Sequence, residues 1–137
     1  MKLPEKVIDA NVILRFFLAD DEEKFLRTKA FLHKVEFGEE DVLLTEIVFA
    51  EVVWVLNKVY NIPRKEIAEK FSKIINYKGM RTILSKAIFT ESLKLYPLYS
   101  IDIQDIFLAV LSKANDCSVL TFDKTDFKKL DIKYSEP

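Results

Sequence analysis

Short apolar runs alternate along this chain with longer stretches in which hydrophobic residues recur at helical spacing. The short runs predict strands and the longer stretches predict helices. The predicted strands cover residues 7–9, 42–44, 81–84, 118–122 and 132–134, and the predicted helices cover residues 11–19, 22–36, 46–60, 64–76, 86–96 and 103–114. Their alternation predicts an α/β fold in which a parallel sheet carries helices on both faces. Because the sequence contains no repeat or linker, we expect a single domain over residues 1–137.

Several residues are typical of helix ends. The four acids at residues 20–23 fit the N-terminus of the second helix, where negative charge is favoured, and Gly38 closes that helical unit. Thr45 is a predicted N-cap for the helix that follows it. Pro97 stops the predicted helix of residues 86–96.

The composition narrows the function. Half of the residues are hydrophobic, so the chain can bury a core, and the formal net charge of −1 argues against a generally basic nucleic-acid binder. A nucleic-acid contact would therefore need a local patch or a metal ion. The chain contains only two glycines, Gly38 and Gly79, which excludes glycine-rich phosphate-binding loops.

The cysteine and histidine counts exclude further classes. Cys117 is the only cysteine, so the chain cannot form an intramolecular disulfide or a cysteine-rich zinc site, and we interpret Cys117 as a small, partly buried hydrophobe. His33 is the only histidine, which rules out a ribonuclease that uses two histidines. A cytoplasmic location is expected, because the N-terminus lacks a secretory signal and no apolar run is long enough to span a membrane.

Carboxylates occupy unusual places in this sequence. Glu51 interrupts the run IVFAEVVWVL of residues 47–56, which is apolar nearly all round and is predicted to be buried. Asp105 directly precedes the apolar run IFLAVL, and Asp102 lies three residues earlier on the same helical face. Asp9 and Asp123 each follow an apolar strand, where ligand sites of parallel α/β sheets lie.

If Asp9, Glu51, Asp105 and Asp123 converge, they form a pocket of like charges that a divalent cation would neutralise. Clustered carboxylate oxygens suit Mg²⁺ or Mn²⁺, which can activate water for attack at phosphorus. Each aspartate also has a simpler interpretation, as a strand-end cap or as an acid placed at a helix N-terminus. Asp126 is most simply a turn residue.

The four acids lie in VIDANVILRF, EIVFAEVVWVL, DIQDIFLAVLSKA and SVLTFDKTDFKKL, and this series resembles the PIN-domain nucleases, most of all the VapC-type toxins of toxin–antitoxin pairs. The resemblance implies a three-layer α/β/α fold with a mainly parallel central sheet. It implies that the four acids are the metal-binding and catalytic residues of an endoribonuclease dependent on Mg²⁺ or Mn²⁺. In the resemblance, Asn11 and Thr45 match supporting positions of the family. Asp102 and Asp126 are further candidates for a supporting role, because they lie three residues from Asp105 and Asp123. Trp54 matches an aromatic position of the family, and we interpret it as a core residue.

The resemblance also implies partners: RNA as substrate, an inhibiting antitoxin and a second copy of the chain. Hydrophobic residues of the first two helices exceed what the core can take, so an exposed apolar patch is expected there. The residues concerned are Phe16, Phe17, Leu18, Phe25, Leu26, Phe31 and Leu32, and the candidate basic groups for RNA are Arg15, Lys113, Lys124 and Lys128.

Two other interpretations stay open at this point. A haloacid-dehalogenase-type phosphatase also opens with an acid after a strand, although its second acid would here be Asn11. The other is a non-catalytic PIN-like module that only binds RNA or protein, which the presence of all four acids disfavours.

Overall fold

Short parallel strand pairs and the helices that join them make up the computed structural model, which describes residues 2–137. The elements in chain order are α1 (Ala10–Leu18), α2 (Glu22–Glu36), β1 (Val42–Leu43), α3 (Glu46–Lys58), α4 (Arg64–Ile75), β2 (Met80–Arg81), α5 (Lys86–Leu95), α6 (Ile103–Ala114), β3 (Val119–Leu120), α7 (Lys124–Lys129) and β4 (Tyr134–Ser135). A 3-10 turn, Tyr96–Leu98, follows α5. Within residues 2–137, none of these helices combines the length and apolar character that a membrane crossing requires.

The strands pair in parallel throughout the described chain. β1 pairs with β2, β3 pairs with β4, and Val7 forms a single parallel bridge to Leu43 on the other side of β1. The α/β class and the parallel pairing predicted from the sequence are therefore confirmed. The strands are shorter than predicted, because an apolar run marks buried side chains and not the residues whose N–H and C=O groups find partners.

Most helices lie where the sequence predicts them. The bounds of α2 and α6 agree with the prediction, and Thr45 caps α3 by accepting a hydrogen bond from the Val48 N–H at 3.3 Å. Gly38 has a φ of 78° just beyond α2, as expected for a residue that ends a helix. Helix α7 was not predicted from the sequence, because its six residues are too few for a clear helical period.

A cluster of phenylalanine rings fixes the helices that carry the candidate acids. Phe49 of α3 lies at the centre, with its ring centroid 5.2 Å from Phe71, 5.1 Å from Phe89 and 5.8 Å from Phe107. These rings come from α4, α5 and α6, and all four are buried. Offset and edge-on aromatic pairs are favourable beyond their buried area, so α3 and α6 are held in a defined relation.

Trp54, interpreted as a core residue, and Cys117, interpreted as partly buried, are both exposed. Trp54 is 46% exposed, and Cys117 lies exposed in the turn after α6. Trp54 shares an outward stripe of α3 with Ile47, which is 80% exposed. Counting apolar residues could not predict this, because the count does not separate residues that face the core from those that face outward.

The expected apolar patch on α1 and α2 is also wrong. Phe16 stacks on Phe25 with a centroid distance of 5.8 Å, and Phe17 contacts Phe71 edge-on at 5.5 Å. Some of the seven residues were expected to face the core and the others to form the patch, but only Leu26 is exposed. Most of the apolar side chains of α1 and α2 therefore pack between these two helices or against α4.

Arg64, the first residue of α4, ties down the segment that leads into α6. Its Nη1 donates to the carbonyls of Tyr96, Tyr99 and Ile101 at 3.2, 2.9 and 2.6 Å. Its guanidinium also lies 4.1 Å from the centre of the Tyr96 ring, a cation–π contact. Because Asp102 follows directly, this one side chain helps to set where α6 begins.

Arg64→Leu is expected to destabilise the protein by about 2 kcal/mol, since three carbonyls lose a charged donor and are left partly unsatisfied. Urea unfolding measures this change. Lys65→Leu is the control on the neighbouring exposed position and should change the free energy of unfolding by less than about 0.5 kcal/mol. Equal effects of the two variants would contradict an anchoring role for Arg64.

Candidate metal centre

Three carboxylates meet where α6 and α7 begin. Asp105, Asp123 and Asp126 each offer a carboxylate oxygen, and these atoms all lie within 4.8 Å of one another. Asp105 lies in the first turn of α6, Asp123 is the N-cap of α7, and Asp126 lies in the first turn of α7. We call these three residues the acidic cluster.

Local structure orients the two carboxylates of α7. The Asp123 backbone is extended, with φ −94° and ψ 95°, and its Oδ1 accepts from the Thr125 N–H at 3.3 Å. The Asp123 N–H donates to Thr121 Oγ1 at 2.9 Å, which links this cap to the end of β3. Asp126 follows three residues later, so one helical turn places its carboxylate on the same side.

Burial and neighbouring negative charges disfavour the ionised form of Asp105 in the acidic cluster. Burial raises the pKa of Asp105, and the nearby charges of Asp126, Asp102 and Asp123 raise it further. An acid placed only to favour the helix dipole would have a lowered pKa, so burial and repulsion outweigh the N-terminus of α6 here. The simpler interpretation of Asp105 as a dipole acid therefore does not account for its environment.

No lysine or arginine neutralises this charge within residues 2–137, since none of the ion pairs there involves a residue of the acidic cluster. Lys124, which lies between Asp123 and Asp126 in the sequence, pairs with Glu136 at 3.2 Å. Three hard oxygen donors without a counterion fit Mg²⁺ or Mn²⁺, whose preferred ligands are carboxylates and water.

Asp9 lies at the other predicted position after a strand, outside the acidic cluster. It is exposed and caps α1, where its Oδ1 accepts from the Ala10 N–H at 2.7 Å. Asn11 is exposed in the first turn of α1. Convergence of Asp9 with the acidic cluster stays a prediction.

Glu51 differs from the expectation, because it is exposed rather than buried. It belongs to the outward stripe of α3, between Ile47 and Trp54, while Phe49 and Val52 face the core. Solvation removes the cost of burying a charge, so its position alone does not demand a metal ion. Even so, α3 packs against both α1, which Asp9 caps, and α6, which carries Asp105. Glu51 therefore lies on a helix that contacts the helices of both aspartates.

The supporting positions have different environments. The Thr45 hydroxyl caps α3 by accepting from the Val48 N–H. Asp102 lies at the N-cap of α6 but makes no side-chain hydrogen bond there. Together with burial and the charge of Asp126, its charge raises the pKa of Asp105. Asp126, interpreted from the sequence as a turn residue, lies in a helix and belongs to the acidic cluster. The spacing Asp123-x-x-Asp126 at a helix start is the signal that could have indicated this arrangement.

A parallel α/β fold with a carboxylate centre defines a class of proteins suited to binding divalent cations. A family model of the PIN domain matches residues 6–133, so the chain belongs to the PIN domain family. It is also similar to the VapC ribonuclease of Aquifex aeolicus (strain VF5), with 28% identity over 132 residues that cover 96% of each chain. Family membership sets aside the phosphatase interpretation.

Proposed function

We propose that this protein is a metal-dependent endoribonuclease and the toxin of a VapC-type toxin–antitoxin pair. The observation that carries the proposal is the acidic cluster, in which Asp105, Asp123 and Asp126 lie together without a counterion. Similarity to a VapC ribonuclease over nearly the whole chain supports RNA as the substrate. In the proposal, Asp9 and Glu51 complete the site around Mg²⁺ or Mn²⁺.

The residues of this chain bind and orient, and the cation supplies the chemistry. A bound divalent cation lowers the pKa of water and offsets the charge that develops on phosphorus-bound oxygens. Asp105, Asp123 and Asp126 would hold it, with Asp123 oriented by the Thr125 N–H. Because the pKa of Asp105 is raised, binding would release a proton when that carboxyl is protonated, and affinity should fall at acidic pH.

RNA cleavage should require Mg²⁺ or Mn²⁺ and stop in EDTA. It should leave 5′-phosphate and 3′-hydroxyl ends, because the attacking water would displace the 3′-oxygen from phosphorus and no 2′-hydroxyl would take part. End-labelled RNA and mass spectrometry of the products test this result. The His33→Ala variant should cleave RNA normally, because His33 is exposed and is not among the proposed site residues. Since it is the only histidine, this variant also tests whether any histidine takes part. Products with 2′,3′-cyclic phosphate ends would contradict a metal-activated water.

The proposal includes two protein partners, an antitoxin and a second copy of the chain. With the patch on α1 and α2 mostly packed, α3 still presents two exposed apolar residues, Ile47 and Trp54, on either side of Glu51 in the sequence. An antitoxin whose basic side chain reaches the acids should inhibit cleavage, and raising Mg²⁺ should weaken that inhibition.

Ile47→Glu is therefore expected to weaken a protein complex at the α3 stripe, because it puts a charge into an apolar interface next to Glu51. Sedimentation of the isolated chain tests the homodimer, and inhibition by the product of the neighbouring gene tests the antitoxin. Leu26→Glu on α2 is the control for an exposed leucine outside the stripe. If the neighbouring gene product neither binds nor inhibits, the toxin assignment fails while the nuclease assignment stands.

A further inference from the structure

A groove of about 870 Å³ lies beside the first bridge residue, between α1 and α2. Its charged and amide-bearing walls come from three segments of the chain. The residues concerned are Lys6, Asp9, Asn11, Arg15, Lys24 and Arg27, and we call this feature the basic groove. Asp9, one of the acids of the proposed nuclease site, lines this groove.

The charge of the basic groove is opposite to that of the whole protein. Four cationic side chains line it against one carboxylate, although the chain carries a formal net charge of −1. The α2 wall is formed by Lys24, Arg27, Thr28 and Phe31, whose spacing of three and four residues places them on one helical face. A local basic patch of this kind is what a nucleic-acid contact needs in an otherwise acidic protein.

Two of the four cations are available for a ligand. Lys6 is engaged by Glu40 and Arg15 by Asp20, each at 2.8 Å. The Lys24 ammonium has no carboxylate within 4.0 Å among residues 2–137, and Arg27 meets Glu23 only at 3.9 Å, with both side chains largely exposed. Exposed ion pairs at such distances contribute little to stability, so a phosphate could replace Glu23 as the partner of Arg27 at a small cost in free energy.

An aromatic ring lies among these charges. Phe31 is half-buried in the α2 wall, and the Lys6 ammonium lies 5.9 Å from its ring centre. Single-stranded nucleic acids are bound by cationic grooves that follow the backbone and by aromatic faces on which bases stack. The basic groove contains both features, and it includes one of the acids proposed for cleavage.

We infer that single-stranded RNA lies in the basic groove, with Lys24 and Arg27 binding backbone phosphates and Phe31 offering a surface to a base. The inference rests on the proposed ribonuclease function and names the path by which that substrate reaches the acids. Arg15 is among the basic groups that the sequence suggests for RNA, but neither Lys24 nor Arg27 is. Lys24 and Arg27 lie on α2, whereas the other charged residues of the groove lie at or before α1. The sequence therefore does not show that they come together.

The test measures binding of a labelled single-stranded RNA of about 12 nucleotides by fluorescence anisotropy in EDTA, over a series of salt concentrations. The double variant Lys24→Ala/Arg27→Ala should bind about 10-fold more weakly at low salt. Its slope of log affinity against log salt should fall by about 0.7 for each lost phosphate contact. Lys29→Ala/Lys34→Ala is the matched control, because it removes the same charge from exposed positions of α2 that do not line the groove.

An unchanged affinity and salt slope in the Lys24→Ala/Arg27→Ala variant, or equal losses in the control, would overturn the inference. So would normal RNA binding combined with lost inhibition by the neighbouring gene product, which would assign the groove to a protein partner. Because binding is measured without metal, a failure here differs from a failure of the nuclease proposal, in which the wild type cleaves no RNA in Mg²⁺ or Mn²⁺.

Discussion

Asp105→Asn is expected to reduce RNA cleavage by about 1,000-fold or more while the protein stays folded. A bound metal ion stabilises the transition state by several kcal/mol, and the amide side chain of the variant would lack the charge that helps to hold it. Single-turnover cleavage in Mn²⁺ measures the loss. Asp131→Asn is the control, since Asp131 is exposed, lies in a turn with a φ of 53°, and Asn tolerates that conformation.

The same substitution should raise the melting temperature at neutral pH in EDTA. Burial and the charges of Asp126, Asp102 and Asp123 raise the pKa of Asp105, so the folded protein binds this proton more tightly than the unfolded chain does. Stability is therefore lost as the pH rises from the ordinary aspartate range through the raised pKa. Asparagine does not ionise, so the variant does not lose this stability. The difference in melting temperature between variant and wild type should disappear at pH values below the ordinary aspartate range. A variant that melts lower than the wild type at neutral pH would mark Asp105 as a structural cap.

Mn²⁺ should raise the melting temperature of the wild type through the acidic cluster. At a concentration 100 times the Kd, a ligand that binds only the folded state contributes about 2.7 kcal/mol, or on the order of 10 °C for a chain of this size. Asp123→Asn and Asp126→Asn should each remove most of this shift. Asp116→Asn is the control, because Asp116 pairs with Lys133 beyond the other end of α6.

Two further variants decide which acids hold the ion. Asp9→Asn and Glu51→Gln should reduce the Mn²⁺ shift less than Asp126→Asn does, because only Asp126 lies in the acidic cluster. The opposite order would return Asp126 to a supporting role and place the ion among the four acids named by the family resemblance. Differential scanning fluorimetry over a range of Mn²⁺ concentrations measures all of these shifts.

Sequence alone identified most of the elements, although not α7, and most of the local chemistry of this protein. The bounds of α2 and α6, the cap formed by Thr45, and the helix end at Gly38 follow from patterns within about four residues, and such patterns carry their own hydrogen bonds and φ preferences. The positions of Asp105 and Asp123 beside apolar runs were visible for the same reason. Acids that interrupt or border hydrophobic segments are unusual wherever the chain later places them.

Only the tertiary structure decided which of these groups meet. Asp126 joins Asp105 through the approach of α6 and α7, and Glu51 faces outward because the stripe of α3 next to it is left uncovered. The basic groove likewise exists because α2 lies beside α1 and the first bridge. Proximity of this kind depends on how helices pack through buried rings such as Phe49 and Phe107, and no pattern within one helix records the position of the next.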